Sequence, residues 1–365
     1  MKMSHALRED RPAVAVVTVN YNHGAYLANY IESLRQSIYP IAEIIIVDNA
    51  STDDSLATLA RYPEVLVIAN PENIGYSAAL NQAFRHARSP LICATGPDLV
   101  VEPDWLEPLV EQYQRDPEGT FVVASHVLTM DRREIQSSGG SLHFTGHLCV
   151  YDIWRPASED RASSVPREVG AVDSTSMLVD RAKFLAIGGC DQQFFVYHEE
   201  FDYCYRARMR GWRCWYHPRS LAYHGDGTQE FSVRSGGGYP RRRPFLHTRN
   251  RLLSILKNYQ ARTLIGILPA LLLIELITVI MLARMGLHGA YGEALGWLWC
   301  HRKDIMLKRA TVQPGRKLND GALLSADALT ITPLLLHSRP LWLAKTTLDG
   351  ALALYWMVAR KLLYS

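Results

Sequence analysis

Ala13-Val-Ala-Val-Val-Thr-Val19 and Glu43-Ile-Ile-Ile-Val47 decide how the rest of this chain reads. Each is a continuous, mostly β-branched run, the pattern of a parallel strand covered on both faces. Asn20-Tyr-Asn-His-Gly24 closes the first run with turn residues, and Leu27, Ile31, Leu34 and Ile38 then recur at helical spacing as far as Tyr39-Pro40. A strand, a helix and a second strand in this order predict a parallel α/β sheet whose ligand crevice lies at the carboxyl ends of its strands.

The pattern continues outward. Asp48-Asn-Ala-Ser-Thr-Asp53 leaves the second strand, with Asp53 or Ser51 placed to cap a helix carrying Leu56 and Leu59. Val65 to Ala69 reads as a third strand, Asn73-Ile-Gly75 as its loop, and Leu80, Ala83, Phe84 and Ala87 as the stripe of the next helix. Leu91 to Ala94 is a fourth strand running into Thr95-Gly-Pro-Asp98; Pro103 opens another helix, and Phe121 to Ala124 is a fifth strand. The loops after strands one to four should converge on one edge. Residues 126 to 170 lack a sustained period and read as a hairpin with loops.

A second stretch carries the chemistry. In Gly189-Cys-Asp-Gln-Gln-Phe-Phe-Val-Tyr-His-Glu-Glu-Phe-Asp-Tyr-Cys-Tyr-Arg-Ala-Arg-Met-Arg-Gly211, three carboxylates (Glu199, Glu200, Asp202) precede three arginines (Arg206, Arg208, Arg210) and a glycine stop. Acids at the positive end and bases at the negative end mark one helix. Asp202 and Arg206 lie four apart and can pair across a turn. The approach through Phe194, Phe195, Tyr197 and His198 sets a carboxylate against an apolar wall, which raises its pKa and suits it to act as a base.

Composition narrows the classes. With 365 residues, 48% of them hydrophobic and 21% charged, the chain is globular, large enough for two domains of ordinary size. A net charge of +3 does not point to nucleic acid, but Arg241, Arg242, Arg243, Arg249, Arg251, Lys257 and Arg262 form a local basic run. Six cysteines without a Cys-x-x-Cys pair read as reduced, structural thiols of a cytosolic protein, and Met1 to Arg11 lacks the apolar core of a signal peptide.

The series Gly-Gly-x-Asp-x-x-Phe-Phe-x-Tyr-x-Glu-Glu-x-Asp-x-x-x-Arg over residues 188 to 206, followed by Gly-Trp, His-Pro and His-Gly, resembles the second, inverting family of glycosyltransferases, and most closely its rhamnosyltransferase-like members acting on lipid-linked bacterial glycans. The likeness spans roughly residues 12 to 230. It implies a GT-A domain over 1–235: a Rossmann-like, mixed but mostly parallel sheet that binds a nucleotide-sugar donor. By the resemblance, Asn20, Asp48 and Asn49 line the nucleotide pocket, and Asn73 and Gly75 lie near the nucleoside and diphosphate. Asp98 holds a divalent cation, Mn or Mg, against the phosphates. His224 reaches that metal or the diphosphate, and Glu200 is the general base, with Glu199 positioning acceptor or helix. The family's metal motif usually has Asn or Asp where Gly96 stands, and Ser174-Thr175 replaces a usual Gly-Ala beside the donor sugar, which leaves the sugar open between a deoxyhexose such as rhamnose and others, carried on dTDP or UDP.

Residues 236–365 read as a helical region. Thr263 to Ala283 is long enough to cross a bilayer. Basic residues on both flanks and Glu275 within it instead favour a helix lying in the interface of an anionic membrane, or a re-entrant pair with Trp297 and Trp299 as anchors. Leu341 to Tyr364 reads likewise, which places the protein on the cytoplasmic face of the cell membrane beside a lipid-linked glycan acceptor. The alternatives are a helical subdomain packed on the core and, for function, a non-catalytic sugar-binding scaffold. A dinucleotide oxidoreductase is disfavoured because Asn20 to Gly24 is not Gly-x-Gly-x-x-Gly.

Overall fold

Alternate residues of the first strand serve two different cores. Val14 and Val16 pack with Leu27, Ile31, Leu34, Leu106 and Leu109 on one face, while Ala15, Val17 and Val19 pack with Ala83, Phe84, Phe184 and Tyr203 on the other. A strand with apolar neighbours on both sides must be apolar at every position, which is why the run does not alternate with polar residues.

A computed structural model describes residues 11–159, 165–225, 227, 241–336 and 338–364. The elements are β1 (Val14–Asn20), α1 (Gly24–Arg35), β2 (Ile41–Asp48), α2 (Ser55–Leu59), β3 (Val65–Ala69), α3 (Tyr76–His86), β4 (Leu91–Thr95) and β5 (Leu99–Val101). They continue with α4 (Leu106–Gln114), β6 (Thr120–Thr129), β7 (Ile135–Ser137), β8 (Gly140–Leu142), β9 (Leu148–Val150), β10 (Arg167–Val169), β11 (Ser176–Asp180), α5 (Arg181–Ala186), α6 (Glu199–Met209) and β12 (Arg213–His224). The helices α7 (Arg243–Asn258), α8 (Ala261–Arg284), α9 (His288–Cys300), α10 (Arg302–Val312), α11 (Asp320–Leu323) and α12 (Arg339–Tyr364) complete the chain.

The main sheet runs β10-β12-β6-β11-β4-β1-β2-β3. Strands β1, β2, β3 and β4 are parallel, and β12 is parallel to β6, but β11 lies antiparallel between β4 and β6. The fold is therefore mixed α/β with a mostly parallel sheet. Strand order reverses between β1 and β4, and that reversal opens the crevice expected at a topological switch point. The helix expected from Pro103 starts three residues later, at Leu106. Within 126–170, β8 and β9 form the expected hairpin, and part of the polar run after Ser158 lies outside the described residues.

Helices α8 and α12 pack on that hairpin. Ile267, Ala270 and Ile274 of α8 join Leu352, Trp356 and Ala359 of α12 in the same core as Phe144, whose ring stacks on Trp356 at 5.0 Å. Their other faces are apolar and uncovered: Ile265 is 76% exposed, Leu272 60%, Leu354 61% and Leu362 78%. Glu275 does not face outward, because it pairs with Arg251 of α7 at 2.5 Å and accepts from Tyr291 at 2.9 Å. A carboxylate turned inward removes the penalty its sequence position suggested. Trp299 is exposed, whereas Trp297 is half-buried against Arg249 and His301. The six cysteines are free, five of them buried.

Candidate active site

Asn20 and Asp48 end adjacent parallel strands in register, so both side chains reach the carboxyl edge together. Asn20 Nδ2 donates to Asp48 Oδ1 at 2.7 Å and to Ser51 Oγ at 3.0 Å, and Ser51 N–H donates to Asp48 Oδ2 at 3.0 Å. Asn49 joins the next strand's loop: its amide donates to Asn73 Oδ1 at 2.7 Å and its oxygen accepts from Ile74 N–H at 3.1 Å. These bonds fix the loops before any ligand arrives, and the buried Asn20 Oδ1 is left without a partner among the described residues. Asp53 does not cap through its own helix position; it accepts from Ser55 N–H at 3.0 Å and from Gly24 N–H at 2.8 Å, tying the start of α2 to that of α1.

After β4, Asp98 is buried at 2% exposure and its Oδ1 lies 3.3 Å from His224 Nε2 at the end of β12. Gln136 Oε1 sits 2.6 Å from His224 Nδ1. An amide oxygen only accepts, so Nδ1 carries a hydrogen and Nε2 is the atom turned to Asp98. A Cβ on Gly96 would stand 3.2 Å from Asp98 Oδ1 and 3.8 Å from His224 Nε2, which puts position 96 at the same centre. His23, which sequence reasoning passed over as a turn residue, lies within electrostatic reach of both. Among the described residues no three His, Cys, Asp or Glu side chains gather to hold an ion unaided. A cation here would take its remaining ligands from donor phosphates, as hard cations commonly do.

The second centre is the start of α6. Glu199 is 3% exposed, Glu200 is half-buried, and the Oε2 atom of each lacks a hydrogen-bond partner among the described residues. Burial above all, with the charge of Glu200 acting on Glu199 and that of Asp173 on both, raises Glu199 well above the usual range and Glu200 to about 7. The adjacent pair holds a proton near neutrality, with Glu200 the member that can release it. Asp173 is brought here by β11, whose antiparallel insertion also lets Thr175 O accept from Gly96 N–H at 3.0 Å. The segment from Asp173 to Thr175 thus links the carboxylate pair to the loop that carries Asp98. Gly75 closes the gap from the third side: at φ +83° it packs on Phe195, and a Cβ would come within 2.5 Å of that ring. Tyr76, which sequence reasoning missed, lies within electrostatic reach of Glu199.

Residues 15–188 match the model of Glycosyl transferase family 2. The chain carries a family 2 glycosyltransferase domain. Among similar curated proteins, an N-acetylglucosaminyl-diphospho-decaprenol L-rhamnosyltransferase of Mycobacterium tuberculosis is 26% identical over 234 residues, 57% of this chain and 75% of that protein. A low-salt glycan biosynthesis hexosyltransferase of Haloferax volcanii is 24% identical over 203 residues, 53% of this chain and 61% of its own. Among solved structures, GalNAc-T7 with UDP, GalNAc and Mn2+ superposes with a TM-score of 0.54 at 17% identity, over 70% of this chain and 49% of its own. A mannosyltransferase from Pyrobaculum calidifontis with GDP-Man and Mn2+ gives 0.50 at 17% identity, over 96% of this chain and 86% of its own. The glycosyltransferase fold is GT-A, and the protein is a transferase.

In this glycosyltransferase the segment before Glu199 is strained. Phe195 (φ 65°, ψ −64°) is the centre of a γ-turn of the rare positive-φ hand, closed by Val196 N–H donating to Phe194 O at 2.8 Å. Tyr197 and His198 also have positive φ, 72° and 68°. Such residues cost about 1–3 kcal/mol each and persist only where neighbours over-determine them. Here the neighbour is α7. Asn250 Nδ2 lies 2.9, 2.8 and 2.8 Å from the carbonyls of Phe194, Val196 and Tyr197, and Arg249 Nη2 donates to Gln193 O and Phe194 O at 2.8 Å each. Below them, the buried Lys257 ammonium pairs with Asp191 at 2.9 Å and with Asp202 at 2.7 Å, while Asp202 also holds Arg206 at 2.5 Å. Neither Asn250 nor Lys257 carries a local sequence signal beyond the basic, amphipathic character of its helix.

Proposed function

We propose that this glycosyltransferase moves a deoxyhexose such as rhamnose, with inversion, from a dTDP- or UDP-sugar to a hydroxyl of a lipid-linked or cell-surface glycan. The observation that carries the reading is Glu200, half-buried and raised to about 7, on the crevice that Asp98 and His224 border from the opposite strand ends. A base with a pKa near the working pH combines ionisation with proton affinity.

Asn20, Asp48 and Asn49 hold the nucleoside, with Asn73 and Gly75 shaping the floor beneath the diphosphate. Asp98 and His224 suit a divalent cation, because a buried carboxylate and an imidazole nitrogen, both common ligand types, stand 3.3 Å apart there. When bound, the ion offsets the charge of the departing diphosphate. Glu200 takes the hydroxyl proton of the acceptor as that oxygen attacks the anomeric carbon opposite the diphosphate. Glu199, kept protonated by burial, donates a hydrogen bond to acceptor or sugar. The rhamnosyltransferase relative supports rhamnose as the sugar moved and a lipid-linked acceptor.

The uncovered apolar faces of α8 and α12, with Arg262, Arg284, Arg360 and Lys361 beside them, support a position on an anionic membrane at its cytoplasmic face. Product analysis by NMR with a panel of nucleotide sugars tests the reaction: an anomeric configuration retained from the donor would overturn the inverting mechanism. Co-sedimentation with anionic vesicles tests the location, and protein that stays in the supernatant at low salt would overturn it.

A further inference from the structure

Unsatisfied polar atoms gather where α6 begins. Three consecutive residues, His198, Glu199 and Glu200, each carry a buried side-chain atom without a hydrogen-bond partner among the described residues: Nδ1, Oε2 and Oε2 in turn. A fourth such atom, Nε2 of His247, comes from α7, and its ring meets the edge of His198 at 5.5 Å while stacking on Tyr197 at 4.5 Å. His198 is 7% exposed and His247 is only partly buried, so the way to these atoms leads past the His247 ring. Leaving a buried polar atom unpaired costs more than an ordinary hydrogen bond returns, and a group of them in contact points to a ligand that pairs with them.

A third imidazole lies within electrostatic reach of both rings, that of His147 in the turn between β8 and β9. Thr145 N–H donates to His143 Nδ1 at 3.2 Å, which makes that nitrogen an acceptor, so the Thr145 hydroxyl 2.7 Å away donates to it as well. The one hydroxyl proton is then used, and His147 Nδ1, 2.9 Å from the same oxygen, must donate. Burial keeps His147 neutral, which leaves its Nε2 to accept. Burial above all keeps His198 and His247 neutral at pH 7 too. A hydroxyl both donates and accepts, so it satisfies a neutral imidazole nitrogen in either tautomer and can also donate to a carboxyl oxygen. An anion could only accept, and would meet two carboxyls. The chemistry of the cluster is therefore that of a polyhydroxylated ligand.

We infer that His198 and His247, with His147 beside them, form the subsite that binds the hydroxyls of the acceptor sugar next to Glu200. The inference deepens the transferase reading above and rests on it. The donor side is reached from Glu200 through Asp173 to Thr175, whose carbonyl bonds Gly96 in the loop of Asp98. The imidazoles come from elsewhere, namely from α7 and from two segments that α7 holds: Asn250 bonds the carbonyls before His198, and Arg251 Nη1 donates to Thr145 O at 3.0 Å. An acceptor held there has its hydroxyl beside the base and apart from the strand ends that hold the diphosphate, as inversion requires.

The test uses the full-length protein in detergent. With nucleoside diphosphate and Mn2+ saturating, titrations followed by saturation-transfer NMR should show the wild type binding methyl α-rhamnoside or methyl N-acetyl-β-glucosaminide. His247→Phe keeps the ring on Tyr197 and removes the nitrogen, so it should bind the same glycoside about three- to tenfold more weakly, the worth of one hydrogen bond. His247→Gln puts an amide nitrogen in the place of Nε2 and should recover part of the loss. In turnover, His247→Phe should raise the acceptor KM by a similar factor and leave the donor KM and the slow hydrolysis of donor by water unchanged. Wild-type glycoside binding in a His247→Phe protein that melts like the wild type, a donor KM that rises as much as the acceptor KM, or a wild type that binds neither glycoside overturns the subsite. If sugar transfer proceeds and His247→Phe leaves the acceptor KM unmoved, the subsite is wrong and the transferase reading survives. If a glycoside binds through His247 yet receives no sugar from any donor, that reading fails and the hydroxyl-binding site stands.

Discussion

The two sides of the crevice are held in different ways. On the donor side, Asn20, Asp48, Asn49 and Asn73 stand at the ends of neighbouring strands and bond to one another across loops of the same sheet. On the side of the proposed base, Glu200 follows three positive-φ residues that are held by a helix beginning more than forty residues further along the chain. A site assembled at strand ends is stable wherever its sheet is stable. A site mounted on a strained loop depends on a clamp, and damage to that clamp should cost turnover before it costs nucleotide binding.

The largest expected effect separates the sides completely. Glu200→Gln keeps the shape and removes the base, so kcat should fall by roughly a hundredfold or more while nucleotide affinity, read by calorimetry, stays within about twofold. Normal turnover in Glu200→Gln with a dead Glu199→Gln would exchange the two roles. The same variant carries a sign for stability. The folded-state pKa, about 7, lies above the ordinary 4.5, so ionisation of Glu200 penalises folding progressively as pH rises through that interval. Glu200→Gln should flatten this decline in Tm.

Lys257→Met should come next. It leaves Asp191 and Asp202 buried without their shared ammonium and should destabilise the fold by about 3–5 kcal/mol. Both carboxyls are held below their usual range by these cations, so the wild type should lose this contribution as pH falls through the acid range. A thermal melt equal to wild type at pH 7 would show that the network does not fasten α6 to α7.

Asn250→Ala should have an intermediate effect, because it strips a donor from three carbonyls of the loop. We expect about 1–3 kcal/mol in stability and a fall in kcat larger than any change in donor affinity. Equal losses in kcat and in nucleotide binding would dissolve the distinction between the two sides.

The smallest effect is a shift in pH profile. Activity should rise with pH through a midpoint near 7, since only ionised Glu200 accepts a proton. Asp173→Asn removes a negative neighbour that raises this value and should move the midpoint to lower pH. An unmoved midpoint would mean that Asp173 does not act on the base.

Much of the donor side was legible in the residue pattern. The β-branched runs before Asn20 and Asp48, the Asn-Ile-Gly75 turn and the motif at Asp98 follow from local rules, because strand ends, turn residues and helix stripes repeat over a few positions. Glu199 and Glu200 were legible for the same reason, as acids opening a helix behind aromatic residues. The inward turn of Glu275, the part of Asp173 beside the base and the clamp of Asn250 and Lys257 were not. Each depends on which side chain meets another across tens of residues, and a polar group in a helix reads the same in sequence whether it faces water or three buried carbonyls. The chain by itself determined which segments are strands and helices and which edge gathers the chemistry. Only the tertiary structure decided how Glu200 is held, since the strain at Phe195, Tyr197 and His198 can persist only where a distant helix supplies the hydrogen bonds that offset it.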